Sequence, residues 1–315
     1  MTAERELPLV SVCIGSYNRE KYIRETLDSV CGQTYPNIEI IVVDDASTDR
    51  TVEIVESYGR RVRLVRAKRN SGLPSVPRNM ALAEATGEFI AFLDSDDSWQ
   101  PEKIEKQVRF LNQNSECGLV HCYACLMDGE SRRDGIRHDG NMPQTGMCFS
   151  ALLRHCFITM STVMVRRDVL TKVGAFNPDP RYRAREDLEW LLRVARQWPV
   201  GLISEPLANY RRAATGISQQ LGAWRSLPED TVAHRLIVDR PDIWQGVVPR
   251  SEVVAAYVNA ALENCQYWRD RGFPDRALWF AWNALKASPG RGEIWAGLLK
   301  SLGRKFVPAT RTCPA

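Results

Sequence analysis

The sequence lacks the glycine-rich phosphate loops that many nucleotide-binding domains carry. Neither G-x-G-x-x-G nor G-x-x-x-x-G-K-[ST] occurs among the 315 residues. Such loops place backbone N–H groups around a diphosphate. We therefore do not expect the usual dinucleotide or P-loop site. If a nucleotide binds, carboxylates and a metal ion must hold it.

Long apolar stretches are missing as well. No window approaches eighteen uninterrupted apolar residues, and the start, "MTAERELPLV", carries acids and no apolar core of signal-peptide length. We therefore expect a cytoplasmic protein whose nine cysteines are reduced thiols. One cluster has metal-ligand side chains: Cys117, His121, Cys122 and Cys125. We favour structural cysteines over zinc, because residues three apart in a strand point to opposite faces and no Gly or Pro turns the chain there.

The chain has little net charge, +4, and its Lys and Arg residues are spread along the sequence, with a locally basic C-terminal end. Nothing in this pattern calls for nucleic acid as a partner. With 44% hydrophobic residues, the chain can bury a sizeable core. The composition is that of an ordinary globular protein.

Apolar strands alternate with amphipathic helices over the first part of the chain, which predicts an α/β fold with a mostly parallel sheet flanked by helices. Three strands end in polar segments: "GSYN", "DDASTD" and "DSDD". Ligands of open α/β sheets bind at the carboxyl ends of strands. "CGLVHCYACLMD" reads as a further strand, and "DGESRRDGIRHDGNMPQTG" reads as a loop that serves as a lid or an acceptor-facing surface. From about residue 215 only helices are predicted.

The segment "DSDD" places Asp94, Asp96 and Asp97 within four positions at the end of an apolar strand. Close carboxylates repel one another unless a cation or a hydrogen-bonding ligand offsets the repulsion. A solvated turn is the alternative interpretation. A second acidic pair, Glu186 and Asp187, begins a predicted helix, where the helix dipole also favours acids.

These ordered motifs resemble glycosyltransferase family 2 on the GT-A fold. The resemblance runs through "VSVCIGSYNREKYIRETLDSV" and "NIEIIVVDDASTDRT", then "NSGLPSVPRNMALAEATGEFIAFLDSDDSWQPEKI", "STVMVRRDVLTKVGAFN" and "REDLEWLLRVA". It implies a Rossmann-like catalytic domain over residues 1–214, with a nucleotide-sugar half of about 1–100 and an acceptor half of about 101–214. Residues 215–315 form an all-helical C-terminal extension that the resemblance leaves unexplained.

The resemblance implies a donor site for the nucleotide base and ribose, made by Ser16, Tyr17, Asn18, Asp44 and Asp45. Asp45 is our first choice to read the base, with Asp44 beside it. A carboxylate can accept an imide N–H and Tyr17 can stack on a base, although a packed loop aromatic is the alternative for Tyr17. A UDP-sugar is favoured, and dTDP- and GDP-sugars are the alternatives.

"DSDD" resembles the Asp-x-Asp metal site of the family. It implies that Asp96 binds Mn²⁺ or Mg²⁺ directly and that Asp94 contacts ribose or metal, while Asp97 supports the turn. These cations prefer oxygen ligands and use few carboxylates beside substrate phosphates. Arg78 is expected either to meet donor phosphates or to be merely solvated.

The same resemblance makes Asp187 the general base of an inverting displacement, with Glu186 positioning it or raising its pKa. Trp190 is expected in the core rather than as a sugar platform. Related enzymes often carry a His after the last strand, whereas this chain has Arg211 and Arg212. Either an Arg neutralises phosphate there, or metal dependence is weaker.

The leading hypothesis is a divalent-metal-dependent glycosyltransferase that adds one sugar to a hydroxyl acceptor in polysaccharide, glycolipid or glycoconjugate biosynthesis, the acceptor being a glycan, a lipid-linked sugar, a peptide or a small molecule. A catalytically inactive relative that binds a nucleotide-sugar or glycan is the alternative. A nucleotidyltransferase is a third hypothesis. Such an enzyme is expected to have a Gly-rich, basic loop after its first strand, and "GSYNREK" is not one.

The helical tail has two interpretations. One is docking on the inner face of the membrane through six residues of the last helix: Trp295, Leu298, Leu299, Lys300, Arg304 and Lys305. The other, which we favour from the sequence, is packing on the catalytic domain or in a homodimer.

Overall fold

The computed structural model describes residues 7–136, 145–212 and 237–305. The chain divides into two compact units, Met1–Gln219 and Gln220–Ala315. The predicted boundary at residue 214 lies outside the described residues. Each unit is treated by itself below.

Four parallel strands open the first unit, and three helices connect them. The strands are β1 Val10–Ser16, β2 Ile38–Asp44, β3 Val62–Arg66 and β4 Phe89–Asp94; the helices are α1 Ile23–Cys31, α2 Thr51–Glu56 and α3 Ser75–Glu84. Strands β1 and β4 are buried almost throughout, because helices cover both faces of a parallel sheet. Their polar ends therefore all lie at one edge.

The rest of the first unit extends the sheet with strands of both directions. Its elements are β5 Ser98–Trp99, α4 Lys103–Gln113, β6 Leu119–Met127, β7 Arg133–Ile136, α5 Phe149–Arg154, β8 Met164–Arg166, α6 Arg167–Val173, α7 Glu186–Ala195 and β9 Val200–Arg211. Short 3-10 helices occupy Gly59–Arg61, Met160–Thr162 and Pro180–Tyr182. The strand order is β3-β2-β1-β4-β8-β6-β9-β5, and β7 pairs with β6. Strands β5, β7 and β8 run antiparallel to their neighbours.

One prediction for this unit is wrong. The segment expected to be a loop contains β7, which pairs with β6 although all four of its residues are exposed. Residues 137–144 of that segment lie outside the described part of the chain. The predicted strand with the cysteine cluster is confirmed as β6, where Cys122 is buried and Cys125 is half-buried. In the described residues, no group of three or more His, Cys, Asp or Glu side chains is arranged to hold a metal ion.

An aromatic cluster fixes α7 against the centre of the sheet. Phe92 of β4 meets the ring of Phe176 edge-on at 5.3 Å and that of Trp190 at 5.7 Å. Trp190 is fully buried, so its predicted place in the core is confirmed. Such contacts add to the stabilisation that apolar burial gives. They place the N-terminus of α7 near the end of β4.

The second unit is helical, as predicted. It contains α8 Pro241–Trp244, α9 Arg250–Asp270, α10 Pro274–Ala287 and α11 Gly292–Lys305. The long helices share a separate apolar core that includes Val258, Phe280 and Ile294. Within the ranges that the structure describes, no helix has the length and apolar character needed to cross a membrane.

Candidate functional site

Three predicted site residues come together where adjacent strands end. In the parallel register, Ser16 of β1 lies opposite Asp44 of β2, and Gly15 lies opposite Asp94 of β4. A Cβ on Gly15 would lie 3.1 Å from the ring of Pro77, so the absence of a side chain lets α3 pack closely against this edge. That close packing brings Arg78 to the site.

The loop after β1 is braced against the loop after β2. Asn18 has a positive φ of 50°, its backbone N–H donates to Ser47 Oγ at 2.9 Å, and its Oδ1 accepts from Thr48 N at 2.8 Å. Asn tolerates the left-handed region better than most residues. Tyr17 beside it is 41% exposed, which leaves its ring accessible to a ligand.

The two acids at the end of β2 have different surroundings. Asp45 accepts hydrogen bonds from Ser71 N at 3.0 Å and from Ser71 Oγ at 2.8 Å. Asp44 Oδ2 accepts from Ser47 N at 3.0 Å, but Asp44 Oδ1 is buried and has no hydrogen-bond partner in the described residues. The buried Oγ of Ser16 has none there either. Buried polar atoms are nearly always hydrogen-bonded, so these two atoms fit an external ligand.

The acids of "DSDD" divide into half-buried and buried carboxylates. Asp94 and Asp96 retain 36% and 17% side-chain exposure, whereas Asp97 is buried. Asp97 accepts from Ser161 Oγ at 2.5 Å and from the backbone N–H of Arg211 at 2.8 Å, which confirms its predicted role in supporting the turn. Burial raises the pKa of Asp96, and the Asp94 carboxylate adds to that rise while Arg19 opposes it. A bound dication would relieve this repulsion.

Arg78 joins the end of β4 to the start of α7. Its Nη2 donates to Asp94 Oδ1 at 2.7 Å and its Nη1 donates to Glu186 Oε1 at 2.9 Å. The side chain is only 12% exposed, so the alternative of a merely solvated arginine is wrong. The partners lie 16 and 108 residues away in sequence. Both acidic sites of the sequence therefore meet at one guanidinium.

The acidic pair of α7 differs in burial. Glu186 is buried, and its Oε2 has no hydrogen-bond partner in the described residues. Burial raises the pKa of Glu186 to about 7, Arg78 opposes the rise, and the negative charge of Asp187 adds to it. Asp187 is half-buried, and its Oδ1 accepts from the backbone N–H of Leu188 at 2.7 Å. Glu186 is thus a buried carboxyl group whose pKa lies near neutral.

Sequence reasoning left the role of Arg211 open and missed Arg19. Arg211 is 4% exposed, and its guanidinium donates to the carbonyl of Asp96 at 2.7 Å and to Glu25 Oε2 at 2.5 Å. It therefore stabilises the acidic turn instead of offering a free charge to phosphate. Arg19 Nε lies 3.5 Å from Asp96 Oδ2 and is the basic side chain beside the predicted metal ligand. Its sequence signal was a basic residue in the loop after β1.

Ser161 was also missed, although "STVMV" belongs to the resemblance. Its Oγ donates to Asp97 and accepts from Asp94 N at 3.1 Å, and its carbonyl accepts from Trp99 Nε1 at 2.7 Å. It is fully buried. Ser161 therefore fixes both ends of the acidic turn.

A cavity of about 640 Å³ lies beside α1 and β5. Its lining includes Arg24, Asp28, Trp99 and Asn209, and none of the predicted site residues. The candidate site is therefore defined by the strand ends and not by this cavity.

The sequence is similar to a family of known proteins. The family model "Glycosyl transferase family 2" matches residues 11–174. TuaG of Bacillus subtilis (strain 168), assigned to teichuronic acid biosynthesis, is 34% identical over 234 residues, which cover 73% of this chain and 88% of TuaG. The poly(ribitol-phosphate) beta-N-acetylglucosaminyltransferase TarS of Staphylococcus aureus (strain Mu50 / ATCC 700699) is 44% identical over 108 residues, 33% of this chain and 19% of TarS.

Two solved structures are similar in fold. TarS 1-349 of S. aureus in complex with UDP-GlcNAc aligns with a TM-score of 0.60 and 20% identity, covering 94% of this chain and 92% of that chain. The mannosyltransferase PcManGT of Pyrobaculum calidifontis, in complex with GDP-Man and Mn²⁺, aligns with a TM-score of 0.59 and 20% identity over 95% and 87%. The predicted GT-A fold with a helical C-terminal region is confirmed. The chain belongs to glycosyltransferase family 2 and is a glycosyltransferase.

Proposed function

We propose that this glycosyltransferase is inverting and depends on a divalent metal ion, and that it moves one sugar from a UDP-sugar to a hydroxyl group of a glycan. The observation that carries the proposal is the meeting of Ser16, Asp44 and Asp94 at one sheet edge, with Arg78 linking that edge to Glu186, the sequence neighbour of Asp187. Donor-binding and acceptor-activating groups thereby lie next to each other.

The donor base binds between the first two strand ends. Asp44 Oδ1 is buried without a partner in the described residues, so it is the oxygen that gains most from accepting an imide N–H. Asp45, our first choice from the sequence, already accepts hydrogen bonds from Ser71 and holds the following loop. We therefore assign base reading to Asp44 and loop support to Asp45. The exposed ring of Tyr17 stacks on the base, and Ser16 and Asn18 line its entry.

Asp96 and Asp94 would hold Mn²⁺ or Mg²⁺ at the end of β4. Two carboxylates suit a cation that takes its other ligands from donor phosphates and water. When bound, the cation stabilises the negative charge of the departing nucleoside diphosphate. PcManGT, with its bound GDP-Man and Mn²⁺, supports this assignment by analogy.

Asp187 removes the proton from the acceptor hydroxyl. It is partly exposed at the start of α7, where an acceptor can reach it, whereas Glu186 is buried against Arg78. The hydroxyl oxygen attacks the anomeric carbon as the bond to the diphosphate breaks, so a single displacement inverts the configuration. The ion pair of Arg78 with Glu186 fixes the start of α7, and with it Asp187, near the end of β4. Arg19 lies next to Asp96, where its guanidinium can pair with the diphosphate of the donor.

Two relatives support a proposal for the acceptor class. TuaG is assigned to teichuronic acid biosynthesis, and the name of TarS specifies a poly(ribitol-phosphate) acceptor. We propose that the acceptor of this chain is likewise a hydroxyl of a growing envelope glycan or polyol phosphate.

Isothermal titration tests the donor site before any acceptor is known. UDP, dTDP and GDP are titrated into the wild type, Asp96→Ala and the exposed control Asp168→Ala, each with and without Mn²⁺. We expect Mn²⁺-dependent binding of UDP that Asp96→Ala weakens at least about tenfold, since it removes a metal ligand. Asp168→Ala should bind as the wild type does. If no nucleotide binds, or if Asp96→Ala binds UDP normally, the assignment fails.

A further inference from the structure

The last two helices expose aromatic and aliphatic side chains beside lysines. Of the eight tryptophans in the described residues, only Trp282 of α10 and Trp295 of α11 are exposed, at 53% and 50%. Leu299, one turn after Trp295, is 67% exposed. Residues four apart share a helix face, so Trp295 and Leu299 form one apolar stripe.

These side chains are held outward by the fold. The opposite face of α11 packs Ile294, Leu298 and Ser301 into the helical core. Trp295 Nε1 donates to the carbonyl of Pro289 at 3.1 Å, so its polar edge is satisfied and its ring stays at the surface. Leu298 therefore drops out of the surface set predicted from sequence, and the side chains of Arg304 and Lys305 lie outside the described part of the structure.

The two helices that carry these side chains are basic in sequence. Residues 274–305, which span α10 and α11, contain six Lys and Arg residues and two acids, Asp275 and Glu293, and the carboxylate of Glu293 accepts from Arg291 Nη2 at 2.9 Å. The whole chain has 42 basic and 38 acidic residues, so the other 283 residues have 36 of each. The net positive charge of the protein thus equals that of these 32 residues. Lys286 and Lys300 are exposed, and Lys286 Nζ lies 5.8 Å from the ring of Trp282.

We propose that the exposed side chains of α10 and α11, Trp282, Lys286, Trp295, Leu299 and Lys300, form one face that docks on an anionic lipid surface. Tryptophan rings favour the boundary between headgroups and acyl chains, and lysines one turn away meet anionic headgroups. A protein partner would have to present acids at positions that match these positive charges. An anionic bilayer presents negative headgroups over its whole surface. The face lies wholly in the second unit, so the inference does not depend on the proposed chemistry of the first.

Vesicle co-sedimentation of the full chain tests the proposal. Vesicles of phosphatidylcholine alone and of phosphatidylcholine with ~30% phosphatidylglycerol are compared at ~0.1 M and ~0.5 M salt. We expect pelleting with the anionic vesicles, at least about tenfold weaker partition into the neutral ones, and release at high salt. Trp295→Ala/Leu299→Ala should lower partition at least about tenfold, because it removes the apolar anchor.

The matched control is Leu7→Ala/Met147→Ala, which removes two apolar side chains of the first unit that are 51% and 61% exposed and should leave pelleting unchanged. Lys286→Glu/Lys300→Glu gives an independent test, since it reverses two charges and leaves the apolar side chains in place. It should weaken pelleting with the anionic vesicles. Circular dichroism confirms that each variant is folded. Absence of pelleting, equal pelleting by both vesicle types, or normal pelleting of the Trp295/Leu299 variant would overturn the proposal. So would a dimer in sedimentation velocity that this variant abolishes without any vesicle binding by the wild type.

Discussion

Lys103 is a buried ammonium whose cost to stability depends on pH. Its side chain is fully buried, its Nζ donates to Gln107 Oε1 at 2.7 Å, and it lies 3.9 Å from the centre of the Trp99 ring. Burial lowers the pKa of Lys103 from its ordinary 10.5 to about 8. Gln107 Nε2 in turn donates to the carbonyl of Thr162, next to Ser161, which holds the acidic turn. The perturbation we consider is Lys103→Met.

The sign and the size of the pH effect on the free energy of unfolding follow from these two pKa values. Between pH 8 and 10.5 the unfolded chain binds the proton that the folded chain has lost, so the free energy of unfolding of the wild type rises with pH. Integration of that difference gives a rise of ~2 kcal/mol between pH 7 and 9.5. Lys103→Met has no such titration. The loss of the hydrogen bond to Gln107 adds a term that is nearly constant over this range, so it cancels in the comparison.

Urea unfolding of both proteins at several pH values from 7 to 9.5 measures this difference. The unfolding free energy of the wild type minus that of Lys103→Met should increase by ~2 kcal/mol across the range. Lys106→Met on the same helix is the control, because the hydrogen bond to Glu205 raises the pKa of Lys106 and its titration falls above this range. A constant or falling difference for Lys103→Met would refute the argument that burial dominates.

Three further outcomes are expected. Asp187→Asn should lower kcat about 10²-fold or more while UDP binding by titration stays within about twofold, since the base acts only in the chemical step; equal loss of both would contradict this role. Asp44→Asn should weaken UDP binding about tenfold, whereas Asp45→Asn should chiefly lower the melting temperature; the reverse order would restore Asp45 as the base-reading acid. Because the folded pKa of Glu186 is about 7 against an ordinary 4.5, wild-type unfolding free energy relative to Glu186→Gln should fall by ~2 kcal/mol as pH rises from 5 to 7.5, measured by urea unfolding.

The elements that sequence predicted well are those with a local signal. β1, β2 and β4 are apolar runs that end in polar residues, and this pattern alone indicates a buried parallel strand whose end meets solvent. The location of Ser16, Asp44 and Asp94 at one edge then follows from parallel topology. β7 escaped notice because its four residues are exposed and include Gly135, so no apolar alternation marks it.

The partnerships inside the site had no such signal. Arg78 and Glu186 lie 108 residues apart, and Arg211 and Glu25 lie 186 apart, so only the folded chain shows that these charges are paired. The same holds for the two acids after β2, which are adjacent in sequence but differ in which hydrogen-bond donors surround them. A residue type and its position on a strand predict where a side chain lies. They do not predict which of its atoms remain free.

The bridge of Arg78 between Asp94 and Glu186 has a consequence for engineering. The first hundred residues supply Arg78 and Asp94, while Glu186 comes from the later part of the chain, as do the backbone N–H and guanidinium of Arg211 that hold the acidic turn. A chimera that joins the later part of another family member to the first hundred residues of this chain must therefore import a glutamate and an arginine at these two positions. A graft that breaks either pairing leaves a buried charge without its counterion. The recombinant enzyme then fails at the junction of the two parts, even when its substrate matches.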